Sequence, residues 1–423
     1  DHMPTQSSSP RSSAGPVPLC EGTPVSWQRM FAVFASIGVL SFGGPAAQIA
    51  LMHRKLVEEA GWLSERAYAN ALGFCMLLPG PEAMQLATYC GWKLRGVPGG
   101  LVAGLLFVIP GAAAIFVLAG LYAVFGDIAL MSQLFLGIKA AVLVVVLEAL
   151  LRLSSRALTD RSGWFIAVAA FAAIFFLSLP FPLIVLAAAL FGAAFGKAPG
   201  GTERDHVADI RTSSMRTVLR GAVWLALWLG PLALLDVWGG APILSEIGWF
   251  FSKLAVVTFG GAYAVLAYMA QDVVTLHGWL SAGEMMDGLG LAETTPGPLI
   301  LVTQFVGFLA AFEKGGFWLG LAGGVVALWA TFVPCFLWIF AGAPYIDRIS
   351  ALPRLQSALS AIIAAVVGVV LNLSVWFALH VVFVSVSAER RGCLTLWVPD
   401  LTSLDWRVPV QAMDSGLQLL RIH

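Results

Sequence analysis

Charged residues are scarce in this sequence. Only 11% of its 423 residues are Asp, Glu, Lys or Arg, 24 basic against 24 acidic, where a soluble domain carries about 25%. So few charges cannot cover the surface of a chain this long, which excludes a soluble enzyme and any disordered or fibrous class. A formal net charge of zero removes the basic footprint that nucleic acid requires. The five cysteines, Cys20, Cys75, Cys90, Cys335 and Cys393, include no CxxC pair, so neither a disulfide framework nor a thiolate cage is indicated. The six histidines show no HExxH-type ligand spacing and no Walker phosphate loop occurs, so no metal, cofactor or ATP is expected.

Apolar residues are abundant. They make up 59% of the chain and its mean hydropathy is +0.86, which points to an all-α polytopic membrane protein. About 11 membrane segments follow one another, near 27–52, 68–92, 99–125, 130–152, 163–178, 180–196, 217–238, 248–270, 285–311, 316–341 and 357–384. Residues 1–24 read as a disordered Ser/Pro-rich arm whose Asp1-His2-Met3 looks like a cloning remnant. A first repeat domain is expected over 25–196, a hydrophilic linker over 197–216, a second repeat domain over 217–384 and a polar tail over 385–423. With alternating crossings, Arg29, Lys93, Arg95, Arg152, Arg156, Arg161, Lys197 and Arg204 gather on one side. The positive-inside rule makes that side, and the N-terminus, cytoplasmic.

The two domains are copies. A shift of 217 carries Phe42-Gly43-Gly44 onto Phe259-Gly260-Gly261, Gly61-Trp62-Leu63-Ser64 onto Gly278-Trp279-Leu280-Ser281, and Pro79-Gly80-Pro81 onto Pro296-Gly297-Pro298. Between 42 and 81, 16 of 40 positions are identical without a gap. Seven segments separate the start of one copy from the start of the next, and an odd number inverts the second copy. Inverted repeats surround a midplane site in many secondary transporters.

The repeated residues are those that interrupt helices. Proline lacks the donor N–H, and glycine accepts left-handed angles. Irregular backbone at membrane depth is tolerated where it is buried or lines a cavity. Pro81 and Pro298 are suited to open half-helices whose free N–H groups and positive dipole end attract anions. Two such ends facing each other would surround a small oxyanion. Gln85 and Thr88 of the first copy and Thr294, Thr295, Thr303 and Gln304 of the second would add side-chain donors. Ordinary proline kinks in packed helices are the competing explanation.

At these residues the sequence resembles the chromate ion transporter family in its long, two-domain form. Phe42-Gly43-Gly44-Pro45, Leu78-Pro79-Gly80-Pro81-Glu82-Ala83 and Gly91-Trp92-Lys93-Leu94-Arg95-Gly96 are similar to its first-domain signature. Phe259-Gly260-Gly261-Ala262-Tyr263, Thr295-Pro296-Gly297-Pro298-Leu299 and Gln304-Phe305-Val306-Gly307-Phe308 are similar to its second. The resemblance covers about 27–384. It implies gradient-driven export of chromate across a bacterial inner membrane, chromate resistance, and sulfate as a competing tetrahedral dianion. Trp406 to His423 departs from the pattern, being polar where such proteins continue with apolar helices.

Charges within the spans are functional candidates by default. Glu82, beside Pro81, suits either a cap on the half-helix or a proton-linked gate. The second copy has Leu299 there, and its acid, Glu293, precedes Pro296 instead. Lys139 suits either the anion's charge or an interface reached by snorkelling, and so does Lys253. Lys93 and Arg95 suit either an anion entrance or simple orientation of the chain. Coupling to protons and assembly as a homodimer are compatible with this pattern. An intramembrane enzyme would need a nucleophile–base or metal set inside the spans; Ser41 and His53 have no partner at such a spacing. A passive anion channel remains the other alternative.

Overall fold

In a computed structural model, the described residues are 25–125, 144, 146–155, 157–196, 214–238, 240–259, 262–345, 352–383, 386–391 and 394–400. The arm, Lys139, Gly260, Gly261, most of the segment near 130–152 and nearly all of the linker lie outside them.

Helix α1 (Trp27–Leu40) starts at Ser26, whose side chain accepts from the Arg29 amide. It stops at Ser41, and α2 (Gly44–His53) begins after Gly43, which is left-handed at φ 84°. A π turn over Arg54–Glu59 and a bend lead to α3 (Glu65–Cys75), capped by Ser64. After the Pro-Gly-Pro break comes α4 (Glu82–Phe125). An apolar helical hairpin follows, α5 (Arg161–Phe175) and α6 (Phe181–Phe195), and then α7 (Ser214–Trp238).

The second copy repeats the first element by element. Helix α8 (Pro242–Val257) matches α1, and α9 (Ala262–Gln271) with its π turn Asp272–Leu276 matches α2. Helix α10 (Ala282–Thr294), held by a Ser281–Glu284 capping box, matches α3. A 3-10 turn (Leu299–Leu301) opens α11 (Val302–Gly342), the counterpart of α4. The match extends to single hydrogen bonds. Ala60 N–H donates to Lys55 O and Trp62 N–H to Leu56 O, while His277 N–H donates to Asp272 O and Trp279 N–H to Val273 O.

A straight 44-residue α4 would run about 66 Å, twice the ~30 Å hydrocarbon core of a bilayer. It bends sharply instead at Arg95-Gly96, where Gly96 has φ 62°, and α11 does the same at Gly315-Gly316, where Gly316 has φ 75°. Glycines let the arms close on each other: a Cβ on Gly91 would stand 2.4 Å from Gly99 O, and one on Gly323 2.2 Å from Gly307 O. The sequence segments 68–92 and 99–125 are thus the two sides of one bend.

At the centre α4 packs on α11, with α1 and α3 against α4 and α8 and α10 against α11. Helix α12 (Pro353–Val382) closes the far side against α5, α6 and α9. Phe34, Phe74, Phe107, Phe251, Phe305 and Phe340 fill the core, while Ile109, Val117, Leu186, Leu190 and Leu219 point outward and are exposed. Outward apolar rows of this kind are solvated by lipid. Among the described residues, four helices are long and apolar enough to cross a membrane, Glu82–Phe125, Thr217–Val237, Leu299–Gly342 and Pro353–Leu379. The chain is a helical membrane protein. One element departs from the all-α reading: part of the polar tail forms an antiparallel hairpin, β1 (Val386–Arg391) with β2 (Leu394–Pro399). Leu394, Leu396 and Val398 recur there at period two, a strand pattern that the polar composition of the tail obscured.

Candidate functional site

A helix leaves its last carbonyls without intrahelical donors, and a Pro-Gly-Pro break has only one N–H, that of its glycine. The fold pairs these two deficits across the repeats. The Gly80 N–H donates to Thr258 O at the end of α8, and the Gly297 N–H donates to Ser41 O at the end of α1, both at 2.8 Å. Thr258 is the repeat equivalent of Ser41, so each copy supplies the acceptor for the other's break. Their hydroxyls are turned back into their own helices, Ser41 Oγ to Ile37 O and Thr258 Oγ1 to Leu254 O.

Glycine is required at both breaks. Gly80 has φ 119° and Gly297 φ 97°, angles that cost any other L-residue about 1–2 kcal/mol. Space is also short: a Cβ on Gly80 would stand 2.8 Å from Gln85 Nε2 and 3.0 Å from Cys335 Sγ. Gly111 of α4 lies under the second break, where a Cβ would stand 2.1 Å from Pro296 O.

Both half-helix starts face one small void, lined by Pro45, Gln48, Pro81, Glu82, Ala83, Pro298, Leu299 and Ile300. The first-turn amides there, on Glu82, Ala83, Leu299 and Ile300, have no intrahelical acceptor by the geometry of a helix start. Gln48 is 1% exposed. It donates to Gly297 O at 2.6 Å and to Ser41 O at 3.4 Å, and its Oε1 has no partner. The void holds about 10 Å³ for water centres, at the lower limit for a single water. A tetrahedral oxyanion is several times larger, so the void is the closed form of any such site.

Pro79, Gly80, Pro81 and Glu82 are thus brought together with Pro296, Gly297, Pro298 and, through Ser41 and Thr258, with the ends of α1 and α8. The glycine amides at the breaks are engaged with carbonyls rather than open to a ligand. Gln85 donates to Pro79 O at 2.6 Å. Thr88 is turned to Met84 O, Thr294 to Gly290 O and Leu291 O, and Thr295 to Ala292 O. Thr303 meets Thr331 and Ile300 O, and Gln304 donates to Ala112 O of the other copy. Gly43 and Gly44 shape the start of α2 with φ 84° and 77°.

Other candidates lie elsewhere. Phe42 is half exposed on an outer groove with His53, Arg54, Glu58 and Glu65. Phe259 packs against the core, and the side chain of Tyr263 is outside the described residues. Lys253 and Lys93 are exposed, and Glu293 is half-buried away from the void. Arg95 is tied to the start of α1, donating to Val25 O and lying 4.6 Å over the Trp27 ring. Two contributors, Gln48 and Asp287, carry little sequence signal. Gln48 is the first polar residue after the Phe-Gly-Gly-Pro break, whereas its repeat equivalent is the apolar Val265.

The profile of the chromate transporter family matches residues 28–193 and 245–404, the two copies just described. The chain is 32% identical over 385 residues to the chromate transport protein of Pseudomonas aeruginosa, covering 88% of this chain and 85% of that one. It is 31% identical over 344 residues to the chromate transport protein of Cupriavidus metallidurans, covering 81% of this chain and 80% of that one. It is 26% identical over 354 residues to an uncharacterized transporter of Methanocaldococcus jannaschii, covering 84% and 85%. No solved structure matches. With the family profile lying over both copies and relatives aligned along most of their length, the chain belongs to the chromate transporter family.

Proposed function

We propose that this protein is a secondary transporter that exports chromate across a bacterial inner membrane by alternating access and so confers resistance, with sulfate as an analogue. The observation that carries the proposal is the void shared by two half-helix starts, Pro81–Ala83 and Pro298–Ile300. Aligned first-turn amides and the positive dipole ends attract a dianion without a buried basic side chain. Family membership and the chromate transport proteins among its relatives support the choice of anion.

The reciprocal bonds suggest how access alternates. One bond, Gly80 to Thr258, closes the first break, and the other, Gly297 to Ser41, closes the second. Parting one while the other holds frees a glycine amide for the anion and opens the void to a single side. A pore open at both ends, as in a passive channel, needs both bonds broken together. The pairwise exchange of bonds between the copies favours an inverted two-fold arrangement of the repeats. Glu82 lines the void, and as an anion it opposes a dianion there; it acts as the gate, with the N-terminus on the cytoplasmic side. Glu293, Lys253, Lys93 and Arg95 lie too far out to touch the anion in this closed form.

Counterflow in proteoliposomes tests the reading. Labelled chromate should exchange against unlabelled chromate and against sulfate, and should accumulate when a gradient is imposed. Flux that only equilibrates, with no counterflow, would assign a channel instead.

A further inference from the structure

We propose that Asp287 is the proton-carrying carboxylate of the transport cycle, with Tyr122 of the other repeat as its hydrogen-bond partner. The inference rests on the transport reading and supplies the residue that couples it to protons. Among the described residues, Asp287 is the only Asp, Glu, Lys or Arg side chain that is fully buried, at 3% exposure. Its Oδ2 accepts from the Tyr122 hydroxyl of α4 at 3.0 Å. The Tyr122 ring stands edge-on to Phe305 at 5.4 Å between centroids, and Gly288 presses on that same ring, where a Cβ would lie 2.4 Å from Phe305 Cδ1. The acid therefore sits in an apolar, sterically tight contact between the two copies.

The repeat itself indicates that the fold has no need of an acid there. The position equivalent to Asp287 in the first copy is Asn70, which is exposed. A neutral amide would accept the same Tyr122 bond without the cost of an ionised group in the membrane. That cost disappears each time the carboxylate binds a proton, so the site alternates between a charged and a neutral state as protons arrive and leave. In the step, one proton adds to a carboxylate oxygen from one side of the membrane and is later released to the other. No other bond is made or broken.

The charge reaches the void through rigid elements. Asp287 lies on α10, two turns before the Thr294–Pro298 break, and Tyr122 lies on α4, whose Gly111 supports Pro296. Protonation at the α4–α10 contact thus acts on the pieces that hold the second break shut. Tyr122 is the titratable group facing Asp287 from α4, whose other ionisable groups, Glu82, Lys93 and Arg95, lie on the far arm of its bend. From α11 the facing group is the Phe305 ring; Glu313 and Lys314 sit at the bend of that helix. The 3-10 turn Leu299–Leu301 is apolar, and Glu284 and Glu293 lie on α10 itself, one turn before and nearly two turns after.

The test uses the full chain in proteoliposomes. Asp287→Asn should lower chromate accumulation driven by a pH gradient by about tenfold or more, within the range of ordinary coupling energies, and leave chromate counterflow within about twofold of wild type. Asp287→Glu should restore part of the driven accumulation, and Tyr122→Phe should move the pH midpoint of driven uptake. Infrared difference spectra between acid and neutral pH should show a carboxylic C=O band that Asp287→Asn removes. Undiminished driven accumulation in Asp287→Asn, or equal loss of driven uptake and counterflow, overturns the assignment. Wild-type protein without counterflow refutes the transport reading alone; the infrared band then decides whether Asp287 binds a proton. If Asp287→Asn does not insert, an unmoved midpoint in Tyr122→Phe overturns the proposal.

Discussion

The two Pro-Gly-Pro breaks have nearly the same backbone and different chemistry. Gly80 and Gly297 share the left-handed region and the same 2.8 Å bond to the opposite copy. The side chains around them differ: Glu82 faces Leu299, Gln48 corresponds to Val265, and exposed Asn70 corresponds to buried Asp287. Backbone requirements are equal in both copies because each break must find one donor and one acceptor. Side-chain tasks need be done only once, so gate, latch and proton carrier can be divided between the copies.

The largest expected effect comes from removing what the breaks share. Gly80→Leu and Gly297→Leu should each abolish chromate flux while the protein still inserts, since a left-handed leucine and overpacking together cost about 2–5 kcal/mol. Native flux from either variant, measured in proteoliposomes, would show that the break geometry is dispensable.

Next comes the latch that only the first copy carries. Gln48→Leu removes the bonds to Gly297 O and Ser41 O, and should reduce counterflow by about tenfold, the equivalent of one lost hydrogen bond. The reverse change, Val265→Gln, puts an amide into a buried apolar position and should lower the melting temperature instead. Equal effects of the two on flux would erase the asymmetry between the breaks.

The gate should give a smaller response. Glu82→Gln removes a like charge from the void and should tighten chromate binding several-fold, by roughly 1 kcal/mol at an intermediate dielectric. Leu299→Glu should weaken it. Binding titrations in detergent measure both, and a Glu82→Gln protein that binds more weakly would remove the gate role.

The smallest effect lies at the surface, at the end of α2. His53 sits between Glu65 at 2.7 Å and Glu58 at 3.1 Å; the second copy has Ala270 and Ala282 at the positions of His53 and Glu65. The hydrogen bond with Glu65 raises the His53 pKa above 6.5. A raised folded value means that its stabilisation is complete below about 6.5 and fades as pH rises through the folded value. Melting in detergent should therefore fall slightly from acid to alkaline pH, and His53→Gln should flatten that slope. An unchanged slope would place the pH dependence elsewhere.

Much of the fold was legible from single residues. Phe42-Gly43-Gly44 and Pro79-Gly80-Pro81 announced breaks because proline and glycine have few conformational choices that continue a helix. Their recurrence at 217 announced a second copy, and the π turns and bends recur with it. The site was legible only in outline. Glu82 and the two Pro-Gly-Pro triplets do line one void, whereas Thr88, Thr294 and Thr295 spend their hydroxyls on their own helices, as short polar side chains in helices commonly do. Lys253 faces outward, and Arg95 was claimed by Val25 and Trp27, contacts that spacing along the chain does not encode.

The sequence by itself determined that the chain is apolar, duplicated and broken at matching places, because composition, self-similarity and the angles open to glycine and proline are local properties. Only the tertiary structure decided which donor meets which acceptor. That the Gly80 amide is held by Thr258 and the Gly297 amide by Ser41, and that Asp287 is buried against Tyr122, depends on packing between residues more than 150 positions apart. Such pairings follow from how the two copies cross, since a hydrogen bond of about 3 Å is set by the meeting of surfaces rather than by neighbours in the chain.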